Sequence, residues 1–434
     1  MAHTSNHSSH QSNVYSRNEQ FQQVGVNVRR MVVKILTQYS SDFVVCRELI
    51  QNADDAQATT FQFQIICDTS NSSSSSLLEE KDFHNRTITE LRMKNNGKIF
   101  SKTDWKRVAT IAEGNTDPQS VGQFGVGFFS VFAYAEEPII TSGEEYIKFI
   151  WNGDSLLYEQ DILPVQQQSD KTSIILSMRD KYILQTGPHL NSILLFTRHI
   201  ETLTIKINSL NVFQISKKKS ANSSISNTFT FKPQSSMNQI LYLNSFDVTE
   251  QTFTIDNTSS ITLGHVTVEA DVNVDQQFYD YIERTLKGLP STIQIQLLFL
   301  QTSLARESLN SEILKSILPL KFLNNDEIIP SGFIFIGLGT HQSTGIGMHV
   351  YSHFIPTVER EELNLQDPYI ARWNRELLAS VGQIARCLYD QTISQSSHNR
   401  SHIHYNAVIK PYCFQSTTPN EKVGKLLSNF YELK

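Results

Sequence analysis

Two short stretches of this 434-residue chain carry side chains that could do chemistry. The first runs from Arg47 to Ala56 and contains Glu48, Asn52 and Asp55. Their spacing of i, i+4 and i+7 places all three on one face of a helix. A carboxylate one turn from a carboxamide could take a proton from water and offer an oxygen ligand to Mg²⁺. The alternative is a solvated polar face that ends in an Asp-Asp turn, and this segment alone favours neither.

The second stretch runs from Val121 to Phe132 and places Gly122, Gly125 and Gly127 ahead of a dense apolar run. Glycine allows backbone N–H groups to approach a phosphate closely, because no Cβ intervenes. The apolar run can begin a helix whose positive end faces the anion. A tightly packed turn without a ligand is the alternative. The acidic–amide segment upstream favours the phosphate-binding interpretation.

The elements that must position these residues can be predicted from the spacing of apolar side chains. An apolar stripe beside the polar face predicts a helix over 42–57; it consists of Val45, Leu49, Ala53 and Ala56. Another helix is predicted over 19–40. Alternation predicts strands over 59–67, 87–93, 146–151 and 173–178.

Taken together, the two stretches resemble the GHKL ATPases, the superfamily of gyrase B, MutL, histidine kinases and the heat-shock protein 90 chaperones. Residues 48–56 read Glu-Leu-Ile-Gln-Asn-Ala-Asp-Asp-Ala, which is similar to the N box in its sacsin-type form. Residues 122–130 read Gly-Gln-Phe-Gly-Val-Gly-Phe-Phe-Ser, which is similar to the glycine box of the heat-shock protein 90 branch. The resemblance covers residues 19 to about 180 and implies a GHKL (Bergerat) α/β sandwich.

The resemblance implies a role for each matching residue. Glu48 would orient and deprotonate the attacking water, and Asn52 would ligate Mg²⁺, with Asp55 beside them in the nucleotide site. Backbone amides of the glycine box would hold the phosphates; the residues concerned are Gly122, Gln123, Phe124, Gly125, Val126, Gly127 and Phe128. The implied cofactors are ATP and Mg²⁺, and the implied reaction is hydrolysis to ADP and phosphate.

A third motif departs from the family pattern. Where the superfamily carries Asp-x-Gly-x-Gly, whose carboxylate accepts a hydrogen bond from the adenine amino group, this chain has Asn95, Gly97 and Ile99. Asn95 keeps an acceptor oxygen and gains an NH₂ donor, so it could meet both the adenine amino group and a neighbouring ring nitrogen. Thr172 opens a strand and resembles the threonine that helps bind the adenine end. Adenine binding is therefore expected, with weaker support than phosphate binding.

Beyond residue 185, alternating helix and strand patterns predict a second layered domain. Strands are predicted over 203–208, 228–232, 239–243, 261–274, 293–300 and 331–337, and helices over 191–201, 276–287, 308–318 and 367–391. The expected organisation is a disordered tail (1–17), a GHKL ATP-binding domain (18–185), a second α/β domain of transducer or middle-domain type (186–392) and a polar C-terminal segment (393–434).

In GHKL ATPases with such a second domain, that domain sends a basic residue into the ATP site. Arg360 is the candidate here, with a surface ion pair as the alternative. It lies in the string His-Phe-Ile-Pro-Thr-Val-Glu-Arg-Glu, which begins at His353. This string is similar to large fungal proteins of uncharacterised function that carry an N-terminal chaperone-type ATPase domain. Farther along, Asp367 and Pro368 predict an N-cap and the first residue of a helix.

Composition narrows the classes of function. A net charge of −6 gives no general attraction to nucleic acid. The four cysteines have no paired spacing, so reduced, buried thiols are expected rather than zinc or a disulfide framework. The N-terminus lacks the apolar region of a secretory signal, and no apolar run reaches membrane-spanning length. An intracellular, cytoplasmic protein without a membrane partner is expected.

Three classes of function stay open. The first is a chaperone-like ATPase of the sacsin and heat-shock protein 90 type, slow and Mg²⁺-dependent, with ATP or ADP, protein clients or partner domains, and a nucleotide-dependent dimer as partners. The second is a nucleotide-binding switch or scaffold with little hydrolysis, favoured by Asn95. The third is a DNA-processing GHKL relative, which the acidic charge disfavours. A histidine kinase is the weakest candidate, because no phosphoacceptor-histidine helix precedes the N box.

Overall fold

A computed structural model gives the fold of most of the chain. The residues that it describes are 27–37, 44–68, 87–110, 127–183, 188–221, 240–285, 289–300, 311–323, 328–336, 338–357, 362–396 and 409–414. The predicted tail (1–17) and most of the predicted C-terminal segment (393–434) lie outside these ranges, as does the predicted strand over 228–232.

Six α-helices are formed within the described ranges: α1 (Val28–Leu36), α2 (Val44–Asp55), α3 (Lys102–Val108), α4 (Gln276–Thr285), α5 (Glu312–Ser316) and α6 (Pro368–Ser396). Shorter 3-10 helices occupy Gly127–Ala133, Val165–Gln167, Pro188–Phe196 and Lys410–Tyr412. The helix expected after the glycine box is therefore a 3-10 helix. The helix expected over 191–201 is also 3-10 and stops at Phe196, before the next strand.

The described strands of the first half are β1 (Thr60–Cys67), β2 (Thr87–Asn95), β3 (Ile139–Gly143), β4 (Glu145–Asn152), β5 (Ser155–Ile162), β6 (Ser169–Ile183), β7 (Thr202–Ile207) and β8 (Leu210–Ala221). Those of the second half are β9 (Leu241–Ile255), β10 (Ser259–Val272), β11 (Thr292–Phe299), β12 (Leu320–Phe322), β13 (Ile328–Pro330), β14 (Phe333–Ile336), β15 (Leu338–Ser343) and β16 (Met348–Tyr351).

One mixed sheet connects the two halves. Its fourteen strands follow the order β15-β14-β16-β11-β10-β9-β8-β7-β1-β2-β6-β3-β4-β5, while β12 and β13 form a separate pair. The pairs β1–β7 and β14–β16 are parallel, and the other pairs of the large sheet are antiparallel. A large mixed sheet with few helices confirms the predicted α/β class. The ladder also continues across the domain boundary expected at residue 185, because β7 lies beyond it and pairs with β1.

Two hydrophobic clusters lie against this sheet. The first is built around α2, the 3-10 helix Gly127–Ala133 and the strands of the first half. It also contains Phe335 and Tyr351 from the second half. The second cluster packs α4 and α6 on β9, β10, β11 and β16. Because the first cluster contains residues of both halves, the halves are joined by apolar packing as well as by strand pairing.

Helix α2 follows the predicted stripe and ends through its own backbone. Val45, Leu49 and Ala53 are buried in the first cluster, as their spacing predicts. At the C-terminus, Gln57 adopts a left-handed conformation with φ of 61°. The Ala58 N–H donates to Ala53 O at 2.9 Å and the Gln57 N–H donates to the carbonyl of residue 54, also at 2.9 Å. This pattern is a Schellman motif, which satisfies carbonyls that the helix would otherwise leave unpaired.

Helix α6 confirms the predicted cap. Asp367 Oδ1 accepts the backbone N–H groups of Tyr369 and Ile370, each at 3.0 Å. Pro368 is the first helical residue, and the helix extends past the predicted end to Ser396. The apolar residues that recur at helical spacing along α6 are all buried: Ile370, Trp373, Leu377, Val381, Ile384 and Leu388. Of the helices that the structure describes, none combines the length and apolar character needed to cross a membrane.

Two buried histidines predict how stability responds to acid. His265 Nδ1 accepts from Gln251 Nε2 at 3.1 Å, and His349 Nδ1 accepts from the Phe333 N–H at 3.1 Å. Protonating either Nδ1 would set two donors against each other, and burial lowers the pKa of both imidazoles to about 4. The unfolded chain takes up these protons near pH 6.5, so the free energy of unfolding falls as pH drops from 7 to 5.

We expect a loss of about 2 kcal/mol for each imidazole over that interval. Urea unfolding of the wild type and of His349→Gln at both pH values measures it. The two imidazoles together lower the free energy of unfolding between pH 7 and 5, and His349→Gln should remove about half of that joint effect. An unchanged pH difference in the variant would contradict the assignment.

Candidate functional site

The glutamate of α2 meets the glycine-containing turn directly. Glu48 is buried, and its carboxylate lies against the backbone of Gly127, the first residue of the 3-10 helix. A Cβ built on Gly127 would lie 2.2 Å from Glu48 Oε2 and 3.0 Å from its Cδ. Only glycine allows this approach, since no real side chain fits at that distance. The structure therefore brings together the two stretches in which the sequence placed the chemistry.

The other two predicted residues of α2 differ in their surroundings. Asn52 is exposed, one turn from Glu48. Asp55 is half-buried, and its Oδ1 accepts from Arg198 Nη2 at 2.8 Å in an ion pair. Glu48 and Asn52 thus lie one turn apart on the polar face of α2. Asp55 is paired with Arg198 of the loop before β7.

The neighbouring Asp54 has a role that spacing on α2 did not reveal. Its carboxylate is buried and accepts the backbone N–H groups of Arg198, His199 and Ile200 at 2.8, 2.7 and 3.0 Å. Three donors on one carboxylate fix the end of α2 to the loop that enters β7. Nearby, Lys217 Nζ donates to Leu194 O and Thr197 O, and burial lowers the pKa of this amine to about 8.

The Asn95 motif lies beside the C-terminus of α2. Asn95 is the last residue of β2, and the Gly97 N–H donates to its Oδ1 at 2.9 Å. The Lys98 N–H donates to Ala56 O at 2.8 Å, which docks the turn on the helix end. A Cβ on Gly97 would lie 2.9 Å from the same carbonyl oxygen. Gly97 is therefore required by close packing against α2.

Thr172 lies directly opposite Asn95 in the β2–β6 ladder. Its hydroxyl is buried and shares a hydrogen bond of 2.7 Å with Ser142 Oγ. Ser142 Oγ also accepts from the Phe100 N–H at 3.0 Å. The two residues predicted for the adenine end are thus neighbours, although Thr172 is held within the protein by Ser142.

The glycine box is described in part. Gly127 and Phe128 lie within the described residues, and the Phe128 ring packs on Phe149 at a centroid distance of 5.6 Å. The predicted contacts at Gly122, Gln123, Phe124, Gly125 and Val126 lie outside the described residues. Their role as phosphate ligands stays a prediction.

The second half approaches the end of α2 through aromatic and charged residues. The Phe196 ring lies 4.8 Å from that of Phe335 and 5.6 Å from that of Tyr351, measured between centroids. Tyr351 also lies within electrostatic range of Arg198. Burial raises the pKa of the Tyr351 hydroxyl, so it stays neutral. The Arg198–Asp55 pair therefore sits where the two halves meet.

Arg360, the predicted γ-phosphate contact, lies outside the described residues, but the flanks of its segment are well held. The Thr357 N–H donates to Glu362 O at 2.8 Å, and the Leu363 N–H donates to Oε1 of the buried Gln342 at 2.6 Å. Asn374 of α6, also buried, accepts from the Ile355 N–H at 2.9 Å.

The other predicted groups are in ordinary surroundings. His349 is buried in strand β16. Within the described residues, no group of three potential metal ligands is assembled from His, Cys, Asp and Glu side chains. All four cysteines are free; Cys46 and Cys67 are buried, whereas Cys387 and Cys413 are half-buried.

The mixed sheet, with the acidic helix packed on a glycine turn, defines a protein of the GHKL α/β class, the fold expected from its similarity to HtpG. The chain belongs to the Sacsin domain family, whose model matches residues 26–261, and to an overlapping family described as a protein of unknown function (DUF3684), which matches residues 191–432. The sacsin-type resemblance of the N box is thereby confirmed.

The chain is also similar in sequence to individual sacsin and HtpG proteins. The chain is 35% identical to human sacsin over 113 residues, which are 26% of this chain and 2% of sacsin. It is 27% identical to the chaperone protein HtpG of Vibrio parahaemolyticus over 191 residues, covering 39% of this chain and 30% of that protein. With HtpG of Coxiella burnetii the identity is 32% over 119 residues, 24% of this chain and 18% of the relative. The matches thus span less than a third of each relative.

The contact between Glu48 and Gly127 can be tested by a double-mutant cycle. Gly127→Ala should destabilise the chain by about 1–3 kcal/mol, because the new Cβ overlaps the carboxylate. In a Glu48→Ala background the same change should cost much less, since the overlapping atoms are gone. Equal costs of Gly127→Ala in both backgrounds, measured by chemical denaturation, would contradict the geometry.

The adjacent aspartates offer a matched pair of variants. Asp54→Asn should lower the free energy of unfolding by about 2–3 kcal/mol, because an NH₂ group would replace a buried acceptor of backbone N–H groups. Asp55→Asn should cost less than about 1 kcal/mol, because its ion pair with Arg198 is partly exposed. Urea denaturation of both variants measures the difference, and the reverse order would refute the assigned roles.

Proposed function

We propose that this chain binds ATP with Mg²⁺ and hydrolyses it slowly, as a chaperone-like ATPase of the sacsin and heat-shock protein 90 type. The observation that carries the proposal is the packing of the buried Glu48 carboxylate against Gly127. The family membership and the relationship to HtpG chaperones support the same function.

Glu48 is proposed as the catalytic base. Its carboxylate would accept a proton from the water that attacks the γ-phosphorus, and its burial restricts its orientation. Backbone N–H groups of the glycine box, including those of Gly127 and Phe128, would hold the phosphates. Phosphoryl transfer depends mainly on positioning and charge neutralisation. Glu48 would position the attacking water, whereas the backbone N–H groups and a bound Mg²⁺ ion would neutralise the phosphate charge.

Asn52 is proposed as the protein ligand of the metal. Its side chain is exposed on the same face as Glu48, so its amide oxygen is accessible to a hydrated ion. Mg²⁺ takes few protein ligands and fills its octahedron with water and phosphate oxygens, which suits a site with one amide. When bound there, the ion would neutralise charge on the phosphates.

The adenine end is proposed to lie near Asn95 and Thr172, and Asp55 is proposed to contribute at this end of the helix. Arg360 remains the proposed basic contact from the second half, as the resemblance to GHKL ATPases with such a domain implies. Protein clients, a nucleotide-dependent dimer and a cytoplasmic location extend the proposal by analogy with the chaperone relatives.

Asn95 also favours a second candidate, a nucleotide-binding switch or scaffold with little hydrolysis. At the position that contacts adenine, the carboxamide of Asn95 replaces the family's carboxylate. This change affects recognition of the nucleotide and adds nothing to the hydrolysis step. In such a protein the packing of Glu48 on Gly127 would respond to bound nucleotide, and Glu48 would not act as a catalytic base. The two candidates share the binding site and differ only in turnover.

Steady-state phosphate release separates these candidates. Glu48→Ala should lower kcat at least about 100-fold while the dissociation constant for ATP stays within about threefold, because the base acts only in the chemical step. Glu269→Ala, an exposed glutamate on β10, serves as the control and should retain wild-type turnover. Equal, background-level turnover in wild type and Glu48→Ala would refute hydrolysis and leave the switch.

A further inference from the structure

Asn95, at the end of β2, lies beside the C-terminus of α2, where the purine of the nucleotide would lie in the proposed site. Asn95 and Gly97 belong to the turn that docks on Ala56, just past the end of the helix. Glu48 lies eight residues earlier, which corresponds to about 12 Å along the axis. A nucleoside triphosphate bound as proposed, with its phosphates at Gly127 and its purine at Asn95, would lie along this length of α2. This step rests on the proposed function.

A neighbouring backbone group sets the orientation of the Asn95 carboxamide. The Gly97 N–H donates to Asn95 Oδ1 at 2.9 Å, and a donor of this kind must face the oxygen rather than the NH₂ group. In the described part of the chain, this is the one hydrogen bond made by the Asn95 side chain. Asn95 is half-buried, so both Nδ2 protons and the second lone pair of Oδ1 remain for a ligand.

A carboxamide and a carboxylate differ in which purines they accept. A carboxylate only accepts hydrogen bonds, so it pairs with a 6-amino group and repels a 6-oxo oxygen. A carboxamide can accept from a 6-amino group through Oδ1 or donate to a 6-oxo oxygen through Nδ2. A purine that leaves one polar group of the site unpaired binds about tenfold or more weakly. A carboxylate imposes this penalty on 6-oxopurines, whereas the Asn95 carboxamide does not.

The adjacent asparagine has a different role and supplies a control. Asn96 is exposed, and its Oδ1 accepts the backbone N–H groups of Thr59 and Thr60 at 2.9 and 2.8 Å. Its Nδ2 donates to Thr59 Oγ1 at 2.8 Å. Aspartate at position 96 would keep both backbone acceptor contacts and add the same negative charge next to Asn95.

We infer that the site takes 6-oxopurine nucleoside triphosphates as well as ATP, and that Asn95 is the residue that sets this breadth. The donor that recognises the 6-oxo oxygen is Asn95 Nδ2, and the acceptor that recognises the 6-amino group is Asn95 Oδ1. Discrimination between purines is lost through a single atom exchange, an amide nitrogen for a carboxylate oxygen.

Calorimetric titration of the full chain with ATP and with inosine triphosphate, each with Mg²⁺, tests the inference. Inosine triphosphate is the matched probe because it differs from ATP at the purine 6-position and the adjacent N1 proton. For the wild type the two dissociation constants should agree within about fivefold. Asn95→Asp should prefer ATP by at least about tenfold, whereas Asn96→Asp should keep the wild-type ratio.

The outcomes separate this inference from the proposed function. A wild-type preference for ATP above about 30-fold, or an unchanged ratio in Asn95→Asp, would overturn the inference while ATP binding stands. A shift of the same size in Asn96→Asp would also overturn it, because charge alone would then explain the effect. Failure of the wild type to bind either nucleotide would refute the proposed function itself. Circular dichroism of each variant verifies folding.

Discussion

The packing of a buried carboxylate against a glycine backbone is the constraint on which the site depends. Glu48 can occupy its position only because Gly127 has no Cβ, and Gly127 is accessible to it only because α2 lies over the start of the 3-10 helix. On its other side, α2 buries Leu49 and Ala53 in the core. Apolar packing of Leu49 and Ala53 holds the helix on the core, and the close fit of Glu48 on Gly127 fixes the rotation of the helix about its axis.

The C-terminus of α2 is fixed as firmly as its glutamate. Asp54 accepts three backbone N–H groups of the loop before β7, and Ala56 O accepts from the Lys98 N–H. A charge-assisted cluster on one carboxylate is strong, and its donors belong to the backbone, so no rotation of a donor side chain relaxes it. The distance between Glu48 and the Asn95 turn is consequently set by helix geometry. Both proposed ends of the nucleotide site are attached to one rigid element.

Much of this arrangement could be predicted from local spacing, and the remainder depends on distant pairing. The stripe of α2 and the Asp367–Pro368 start of α6 follow from helical periodicity and capping, which involve neighbours a few residues apart. The same spacing could not separate Asp54 from Asp55, because the donors to Asp54 lie 144 or more residues away in the chain. The pairing of β7 with β1 across the expected boundary is non-local for the same reason.

The continuous sheet limits how the halves could move. Strand β7 pairs in parallel with β1, so a hinge at residue 185 would have to break backbone hydrogen bonds. The hydrogen bonds from the backbone of residues 198–200 to Asp54 cross the same boundary and oppose the same motion. Arg198, which pairs with Asp55 of α2, lies two residues after Phe196, whose ring stacks on that of Tyr351 in β16. The C-terminus of α2 and the second half therefore meet through residues 196–198 as well as through the sheet.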